Sequence, residues 1–371
     1  MDFRPTDGQQ LLASAARDFL ARRCPLEAAP GGGAAREDLW PSIAELGWPG
    51  LLVPGDLGGS DGTLLDVMLL VEEMGRAGLE SPYVDSAVVA TSLLRASGTT
   101  AQRRRALPDM GQGRRICALA LLEEGGELAP AAIALRGEAG GALDGRKLFV
   151  DDADAAHDLI VVARGRNGIS LFHLERGRPG IALSPMAAMD GGRRFEVTFD
   201  RVPAHPGDLL GPEGAGWEIL APALRLGALA RGAEMIGAAE RILDLTVEHA
   251  KTRVQSGRPI GSFQAVQHAC ADLLRGVESA RPLVLSAAWK AQEGLPCEAD
   301  VAMAKSYAGD ACLAVARKAH QIFGAIGYCE EHPLHRLHKR ILAARLAYGD
   351  TAHHAETIAR AIGLGGLGVR L

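Results

Sequence analysis

The sequence lacks the patterns that identify several whole classes of protein. Its six cysteines lie far apart with no CxxC pair, which excludes a disulfide framework and predicts reduced thiols. Aromatic residues make up only 4% of the chain and the net charge is -5, so the basic, ring-lined groove of a nucleic-acid-binding protein is excluded. No stretch reaches the roughly 18 to 20 apolar residues of a membrane span, and the start has no basic segment followed by an apolar run. We therefore expect a cytoplasmic protein, outside the membrane, that binds small neutral or acidic ligands.

The chain divides into three segments by the spacing of its apolar residues. Residues 1–113 show helical periodicity, as in "QQLLASAARDFLARR", and predict an N-terminal helical domain. Residues 114–213 hold short runs of strand length, such as "LIVVAR" and "FEVTFDRV", with no helical segment between them, which predicts an antiparallel barrel or sandwich. Residues 214–371 return to helical spacing in four long segments and predict a four-helix bundle. The expected fold class is mostly α with a central β domain.

Two short patterns near the C-terminus resemble functional motifs but lack the context that those motifs need. "GLGGLG" at 363–368 fits GxGxxG, yet it follows a helix instead of a strand. His332, His335 and His338 lie at three-residue steps with basic residues between them, whereas zinc on a helix prefers two His at i,i+4 and a third ligand. We predict neither a dinucleotide fingerprint nor a metal site here.

The stretch "RVQSGRPIGSFQAVQHACADL", residues 253–273, places an arginine beside a turn between two helices. Arg253 follows the first helix, a Gly-Arg-Pro-Ile-Gly turn comes next, and Phe263 and Gln264 open the second helix. An arginine at such a turn presents a planar fork to a phosphate, and Gln and Phe can flank a ring system. Alternatively, Arg253 caps the C-terminus of its own helix. Spacing alone favours the cap.

Seven stretches, in order along the whole chain, resemble the acyl-CoA dehydrogenase family. They are "AELGWPGLLVPGDLGG", "DVMLLVEEMGRAG", "CALALLEEGG", "LDGRKLFV", the block 253–273, "QIFGAIGY" and "AYGDT". The resemblance implies a β domain flanked by two helical domains, in agreement with the periodicity. It also implies an FAD flavoprotein that oxidises the Cα–Cβ bond of an acyl-CoA thioester, in which a carboxylate takes the α-proton while a hydride moves to the flavin. Electron-transferring flavoprotein is the implied electron acceptor, and fatty acid or sterol side-chain metabolism is the implied setting.

The resemblance implies roles for particular residues as well. In this family the FAD lies at a subunit interface, so a dimer or tetramer is expected, and Arg253 matches the arginine that contacts the diphosphate of a neighbour's FAD. A permanent positive charge suits that diphosphate. The other implied cofactor-binding residues lie beside Arg253 or in the adenosine-side segment: Gln255, Phe263, Gln264, Gln321 and Gly324.

The chain departs from the family at the catalytic base. The base is most often the Glu of a Tyr-Glu-Gly-Thr-like stretch, a position held here by Gly349, and the alternative Glu position, 26 residues before Arg253, is Gly227. Asp350 follows one residue later, which is about 100° around a helix, and it is the candidate catalytic carboxylate. Glu234 is a weaker substitute. Asp350 is either a base or a surface acid of a helix beside two histidines.

Two further departures concern the flavin itself. Leu122 stands where a Thr normally hydrogen-bonds the flavin, and Ser256 stands where a Phe is expected. Because Leu122 has no side-chain donor, we expect this chain's own β domain to hold the isoalloxazine poorly. Some bacterial members are heteromers in which a degenerate subunit supplies only the cross-interface arginine. Three hypotheses follow: a heteromer whose partner supplies the base, a self-sufficient homo-oligomer that uses Asp350, and a non-catalytic assembly subunit.

Overall fold

The computed structural model describes residues 4–26 and 39–364, which form two compact units. The first, here called the helical unit, contains residues 4–26, 64–80 and 228–364. The second, here called the mixed unit, contains residues 39–63 and 81–227. Each unit is made of separate parts of the sequence, so the two units do not correspond one to one with three consecutive domains. The predicted division into 1–113, 114–213 and 214–371 stays a prediction.

Helices make up most of the described chain, as the periodicity predicts. In chain order they are α1 Asp7–Arg23, α2 Leu39–Glu45, α3 Leu64–Arg76, α4 Thr91–Ser97, α5 Thr100–Gly111, α6 Gly216–Thr252, α7 Gln264–Gln292, α8 Glu298–Phe323, α9 Leu334–Leu346 and α10 Thr351–Ala361. A π-helix, Tyr83–Ala90, precedes α4. The fourth helix predicted for the C-terminal segment is interrupted, and its two halves are α9 and α10.

Helices α3 and α6 of the helical unit pack backbone against backbone. A Cβ added at Gly237 would lie 1.8 Å from the Glu72 carbonyl oxygen, and one added at Gly75 would lie 2.0 Å from the carbonyl oxygen of Glu234. Only glycine allows such an approach. Earlier on α6, Gly232 faces α7, with Val284 Cγ2 at 3.1 Å from the added Cβ. The glycines of α6 therefore set how closely its neighbours approach.

The mixed unit contains two three-stranded sheets. Their strands are β1 Cys117–Ala120, β2 Ala142–Asp151, β3 Asp158–Gly165, β4 Gly168–Glu175, β5 Ile181–Met186 and β6 Arg194–Pro203. The strand orders are β1-β3-β4 and β2-β6-β5. Apolar side chains from both sheets form one buried cluster that includes Val161, Phe172, Val197 and Phe199. This packing gives the central β domain of the predicted fold class.

One strand pairing differs from the antiparallel expectation. Strands β1 and β3 run parallel, with Cys117 opposite Asp158, whereas the remaining pairs in these two sheets are antiparallel. Between β1 and β3 the chain leaves for β2 in the other sheet, so β3 re-enters beside β1 in the same direction. Parallel strands are usually connected by a helix, whereas here the connection consists of a strand and loops. The sequence between β1 and β3 therefore has no helical pattern that would predict a parallel pair.

Candidate functional site

The segment that follows α6 forms a short hairpin carrying two of the predicted cofactor-binding residues. Its strands are β7 Val254–Gln255 and β8 Arg258–Pro259. The hairpin turns at Ser256 and Gly257, whose φ angles are 50° and 76°. Two consecutive residues with positive φ are typical of the tight turns that join twisted strands. The hairpin projects Arg253 and Gln255 to solvent.

The Arg253 side chain is exposed, and its guanidinium makes no hydrogen bond or ion pair with any residue that the structure describes. Its backbone N–H donates to the His249 carbonyl at 2.9 Å, but the side chain does not cap α6. Nearby, Arg258 stacks on Phe263, with its guanidinium carbon 4.3 Å from the ring centroid. Arg253 therefore remains available to an anionic group from outside the chain.

The second predicted cofactor segment lies at the end of α8. Gln321 and Gly324 are exposed there, and Gly324 ends the helix with a φ of 65°. The His249 ring in the last turn of α6 stacks on Phe323, with centroids 4.3 Å apart. This contact makes the ends of α6 and α8 neighbours. The structure thus brings the six predicted cofactor-binding residues to one end of the helical unit.

Asp350 occupies a different part of the helical unit. It is the N-cap residue of α10, and its Oδ1 accepts a hydrogen bond from the His353 N–H at 2.8 Å. The turn before it contacts Lys305, sixteen residues before Gln321 on the same helix. At 1.5 Å per residue, that separation is about 24 Å. The structure does not bring the candidate base and the cofactor-binding residues of one chain together.

The family's usual base position, Gly349, is filled by neighbouring rings. A Cβ added at Gly349 would lie 2.6 Å from His353 Cδ2 and 3.0 Å from His354 Nε2. Burial lowers the pKa of both imidazoles, that of His354 to about 4, so both are neutral at pH 7. The rings of His353 and His354 therefore occupy the space that a side chain at Gly349 would enter.

Glu234, the weaker substitute for the base, is held in a buried ion network. Its Oε2 accepts from Arg231 Nη1 at 2.8 Å, and its Oε1 accepts from Arg340 Nε. Burial raises the pKa of the Glu234 carboxyl, but Arg340 and Arg231 outweigh burial and hold that pKa below its usual value. With both oxygens engaged by arginines, Glu234 is a structural carboxylate.

In the mixed unit, Leu122 can form hydrogen bonds only through its backbone. Its carbonyl accepts from the Leu148 N–H at 2.8 Å, and its half-buried side chain has no donor. Glu123 beside it accepts from Lys147 Nζ at 2.6 Å and from the Ala134 N–H at 2.8 Å. The carboxylate nearest Leu122 is thus committed to holding this corner of the fold.

Phe149, two residues from Lys147, is a candidate functional residue that sequence analysis missed. It has a φ of 55°, and its side chain is 47% exposed, although large aromatic residues rarely adopt positive φ. Such strain concentrates at functional sites. In the sequence Phe149 belongs to "RKLFV", which predicts an ordinary strand. A register shift in the β2–β6 pairing between Lys147 and Val150, which no local pattern reveals, sets its conformation.

The histidines near the C-terminus pack against rings. His320 is 3% exposed, and its ring lies 4.5 Å from that of Tyr328 and 5.0 Å from that of His338. The ring of His332 lies 4.5 Å from that of Phe323. Across residues 4–26 and 39–364, no group of three or more His, Cys, Asp or Glu has an arrangement that could hold a metal ion. In the same ranges, no helix is both long and apolar enough to cross a bilayer.

Comparison with known proteins agrees with this arrangement. Profiles described as the N-terminal and C-terminal domains of acyl-CoA dehydrogenase match residues 6–114 and 214–363. Acryloyl-CoA reductase (NADH) of Anaerotignum propionicum is 31% identical over 98% of this chain and 96% of that protein. The chain belongs to the acyl-CoA dehydrogenase family.

Two solved structures have the same fold as this chain. Butyryl-CoA dehydrogenase from Megasphaera elsdenii superposes with a TM-score of 0.90 at 30% identity, covering 98% of this chain and 100% of that one. A chain of the ChsE4-ChsE5 complex from Mycobacterium tuberculosis superposes with a TM-score of 0.89 at 27% identity, covering 98% and 99%. The predicted family, the fold class and the assignment as an oxidoreductase are confirmed.

Proposed function

We propose that the chain is one subunit of a heteromeric acyl-CoA dehydrogenase, in which a partner subunit supplies the catalytic base. The reaction is α,β-dehydrogenation of an acyl-CoA thioester. The observation that carries the proposal is the state of the Tyr348–Asp350 turn. Gly349 has no side chain, two neutral imidazoles fill the adjacent space, and Asp350 caps a helix. In this proposal the chain contributes Arg253 to a flavin site that it shares with the partner.

The cofactor is FAD, and this chain's residues suit its outer half. The exposed guanidinium of Arg253 matches a diphosphate in charge and in geometry. Gln255, Gln264 and Gln321 are exposed at the same end of the helical unit and offer amide donors and acceptors to ribose or adenine. When bound, FAD supplies the hydride acceptor. Electron-transferring flavoprotein is the proposed electron acceptor, in the setting of fatty acid or sterol side-chain metabolism.

Flavin uptake tests the shared site. The chain is purified alone and after co-expression with a homologue that carries Glu at the position of Gly349, and flavin absorbance is measured. We expect flavin only in the co-expressed complex. Arg253→Met should abolish uptake, because the diphosphate loses its cation, whereas Arg275→Met, at an exposed arginine on α7, should not. Full flavin content with Arg253→Met would contradict the proposal.

A second candidate is a homo-oligomeric dehydrogenase in which Asp350 is the base. It is favoured by the half-buried Asp350 carboxylate, whose Oδ2 makes no hydrogen bond with the residues that the structure describes. Asp350→Asn separates the two, since Asn caps helices as well as Asp but cannot accept the α-proton. We expect unchanged α-proton exchange of bound butyryl-CoA in the heteromer. Abolished exchange would make Asp350 the base.

The third hypothesis, a non-catalytic assembly subunit, makes a different prediction. Such a chain would assemble with its partner without contributing to a flavin site. FAD titrated into every combination of subunits would then produce no bound flavin. Flavin whose retention depends on Arg253 argues against this hypothesis.

A further inference from the structure

Helix α8 carries a buried lysine that forms no ion pair with a carboxylate of the described residues. Lys305 is 2% exposed, and its Nζ donates to the carbonyl oxygens of Arg345 at 2.9 Å and Gly349 at 3.1 Å. The Arg345 carbonyl belongs to the last turn of α9, and the Gly349 carbonyl belongs to the turn that joins α9 to α10. One side chain therefore connects the end of α9 to the turn that holds Gly349 and Asp350.

That turn has an unfavourable backbone conformation. Tyr348 and Gly349 have φ angles of 57° and 96°, and a bulky residue at positive φ is strained. Such strain persists only where surrounding groups fix the backbone. His354 fixes one more carbonyl, because its Nε2 lies 3.2 Å from the Tyr348 oxygen. Two buried side chains, Lys305 and His354, thus hold two carbonyls of the turn and one in the last turn of α9.

The number of acceptors around Lys305 matches the neutral amine. A neutral amine has two N–H donors and an ammonium has three, whereas two carbonyls are the acceptors that the described residues provide. Burial, together with Arg231 and Arg345, lowers the pKa of Lys305 to about 7. The charged and titratable groups around it are Arg231 and Glu234 on α6, Arg345 on α9, Asp350 in the turn, and His353 and His354 on α10.

We propose that Lys305 is a positioning residue whose neutral amine fixes the α9–α10 turn, so that protonation of the amine loosens the turn. A third N–H on the buried nitrogen has no acceptor among the residues that the structure describes, and the added charge costs desolvation. As pH falls through neutrality, the amine gains that proton, and the cost of burying its charge favours an open turn in which water reaches the nitrogen. That the turn borders the acyl-CoA site rests on the proposed function; the bond between Lys305 and the turn does not.

Two measurements test the inference on the whole chain. Nuclear magnetic resonance of protein labelled with [13Cε]lysine resolves a set of only six lysines, and Lys305→Met identifies the signal of Lys305. We expect this signal to titrate near pH 7. Hydrogen exchange of the His353 and His354 amides reports on the turn, because both amides bond to Asp350. In the wild type, their protection factors should fall between mildly alkaline and mildly acidic pH.

The variants separate positioning from general stability. Lys305→Met should lower the protection factors of the His353 and His354 amides about tenfold for each hydrogen bond lost, and should remove their dependence on pH. Lys318→Met, at an exposed lysine on the same helix, should leave both unchanged. The inference is overturned if the Lys305 signal titrates near the ordinary lysine value of 10.5 instead of near neutrality, or if the two variants exchange alike.

The inference can still be tested if the Lys305→Met variant does not fold. If Lys305→Met is insoluble, the wild-type titration and the wild-type exchange at two pH values still decide, with signals assigned from the other lysine variants. A chain that never takes up flavin with any partner contradicts the proposed function. That result does not enter either measurement on Lys305, so the two failures are distinguishable.

Discussion

Replacing Glu234 by glutamine should destabilise the chain strongly, because it removes a negative charge that contacts two buried arginines. Glu234, Arg231 and Arg340 are 3%, 5% and 8% exposed. Glutamine keeps the size of the side chain but removes the counter-charge that Glu234 gives both guanidinium groups, and its amide NH2 faces a donor. Breaking a buried ion pair costs about 3 to 5 kcal/mol. We expect the free energy of unfolding to fall by about that amount.

Urea unfolding followed by circular dichroism at neutral pH measures this loss. The matched control is Asp272→Asn on α7. Asp272 Oδ1 lies 3.1 Å from Arg275 Nη2, and both side chains are largely exposed. Exposed pairs contribute little, so the control should unfold close to the wild type. The reasoning is refuted if Glu234→Gln loses less than about 1 kcal/mol, the upper end for an exposed pair.

The pH dependence gives a second test of the same carboxylate. Because the folded-state pKa of Glu234 is depressed, its contribution is complete above the ordinary Glu value of 4.5 and is lost as pH falls through the folded-state pKa. The difference between wild type and Glu234→Gln should therefore be largest near neutrality and shrink in acid. A difference that stays constant down to acidic pH would show that the charge is not the cause.

Three more changes have definite expected results. Gly237→Ala should lower the free energy of unfolding by roughly 1 to 3 kcal/mol, because its Cβ would meet the Glu72 carbonyl at 1.8 Å, whereas Gly232→Ala should cost less. The unfolding free energy of the wild type, relative to Lys305→Met, should rise by about 1.4 kcal/mol per pH unit above the folded pKa of about 7. Asp350→Ala should cost about 1 kcal/mol through the lost helix cap, measured by thermal unfolding against Asp350→Asn.

Each of these results can fail in a distinct way. Equal unfolding midpoints for Gly237→Ala and Gly232→Ala would mean that α3 and α6 are not in backbone contact. A pH-independent difference for Lys305→Met would mean that the amine carries its proton in the folded chain as in the unfolded one. Equal melting of Asp350→Ala and Asp350→Asn would remove the cap as the role of Asp350.

Local sequence patterns predicted helices and strands well where one face of the element is buried, because the buried residues then recur at the spacing of that helix or strand. "FEVTFDRV" alternates because Val197 and Phe199 point into the cluster between the sheets, and both are buried in the structure. "FQAVQHACADLLRGVESARPLVLSAAWKAQEG" becomes α7, with only its first residue and its last two outside the helix. In such segments the alternation between buried and exposed positions follows the geometry of the strand or helix. The same alternation of apolar and polar residues is therefore visible in the sequence.

The features that the sequence did not reveal depend on distant residues. The break between α9 and α10 falls within a helical pattern, and the lysine that holds its turn lies 40 and 44 residues before the carbonyls it binds. The parallel pairing of β1 with β3 and the strained Phe149 likewise arise from pairings across the fold. The cofactor-binding residues were predicted through motifs, and their roles remain predictions. The structure adds that Arg253 is unpaired among the described residues and far from Asp350.

The hairpin that follows α6 has a practical consequence for how variants of this protein should be screened. Arg253 and Gln255 are exposed and have little part in holding their own chain together, so changes there cost the isolated subunit almost nothing. If Arg253 contacts FAD as proposed, thermal-shift and solubility screens will therefore miss damaging variants of this loop. Under the proposed function, an assay that measures assembled, flavin-bearing complexes detects them.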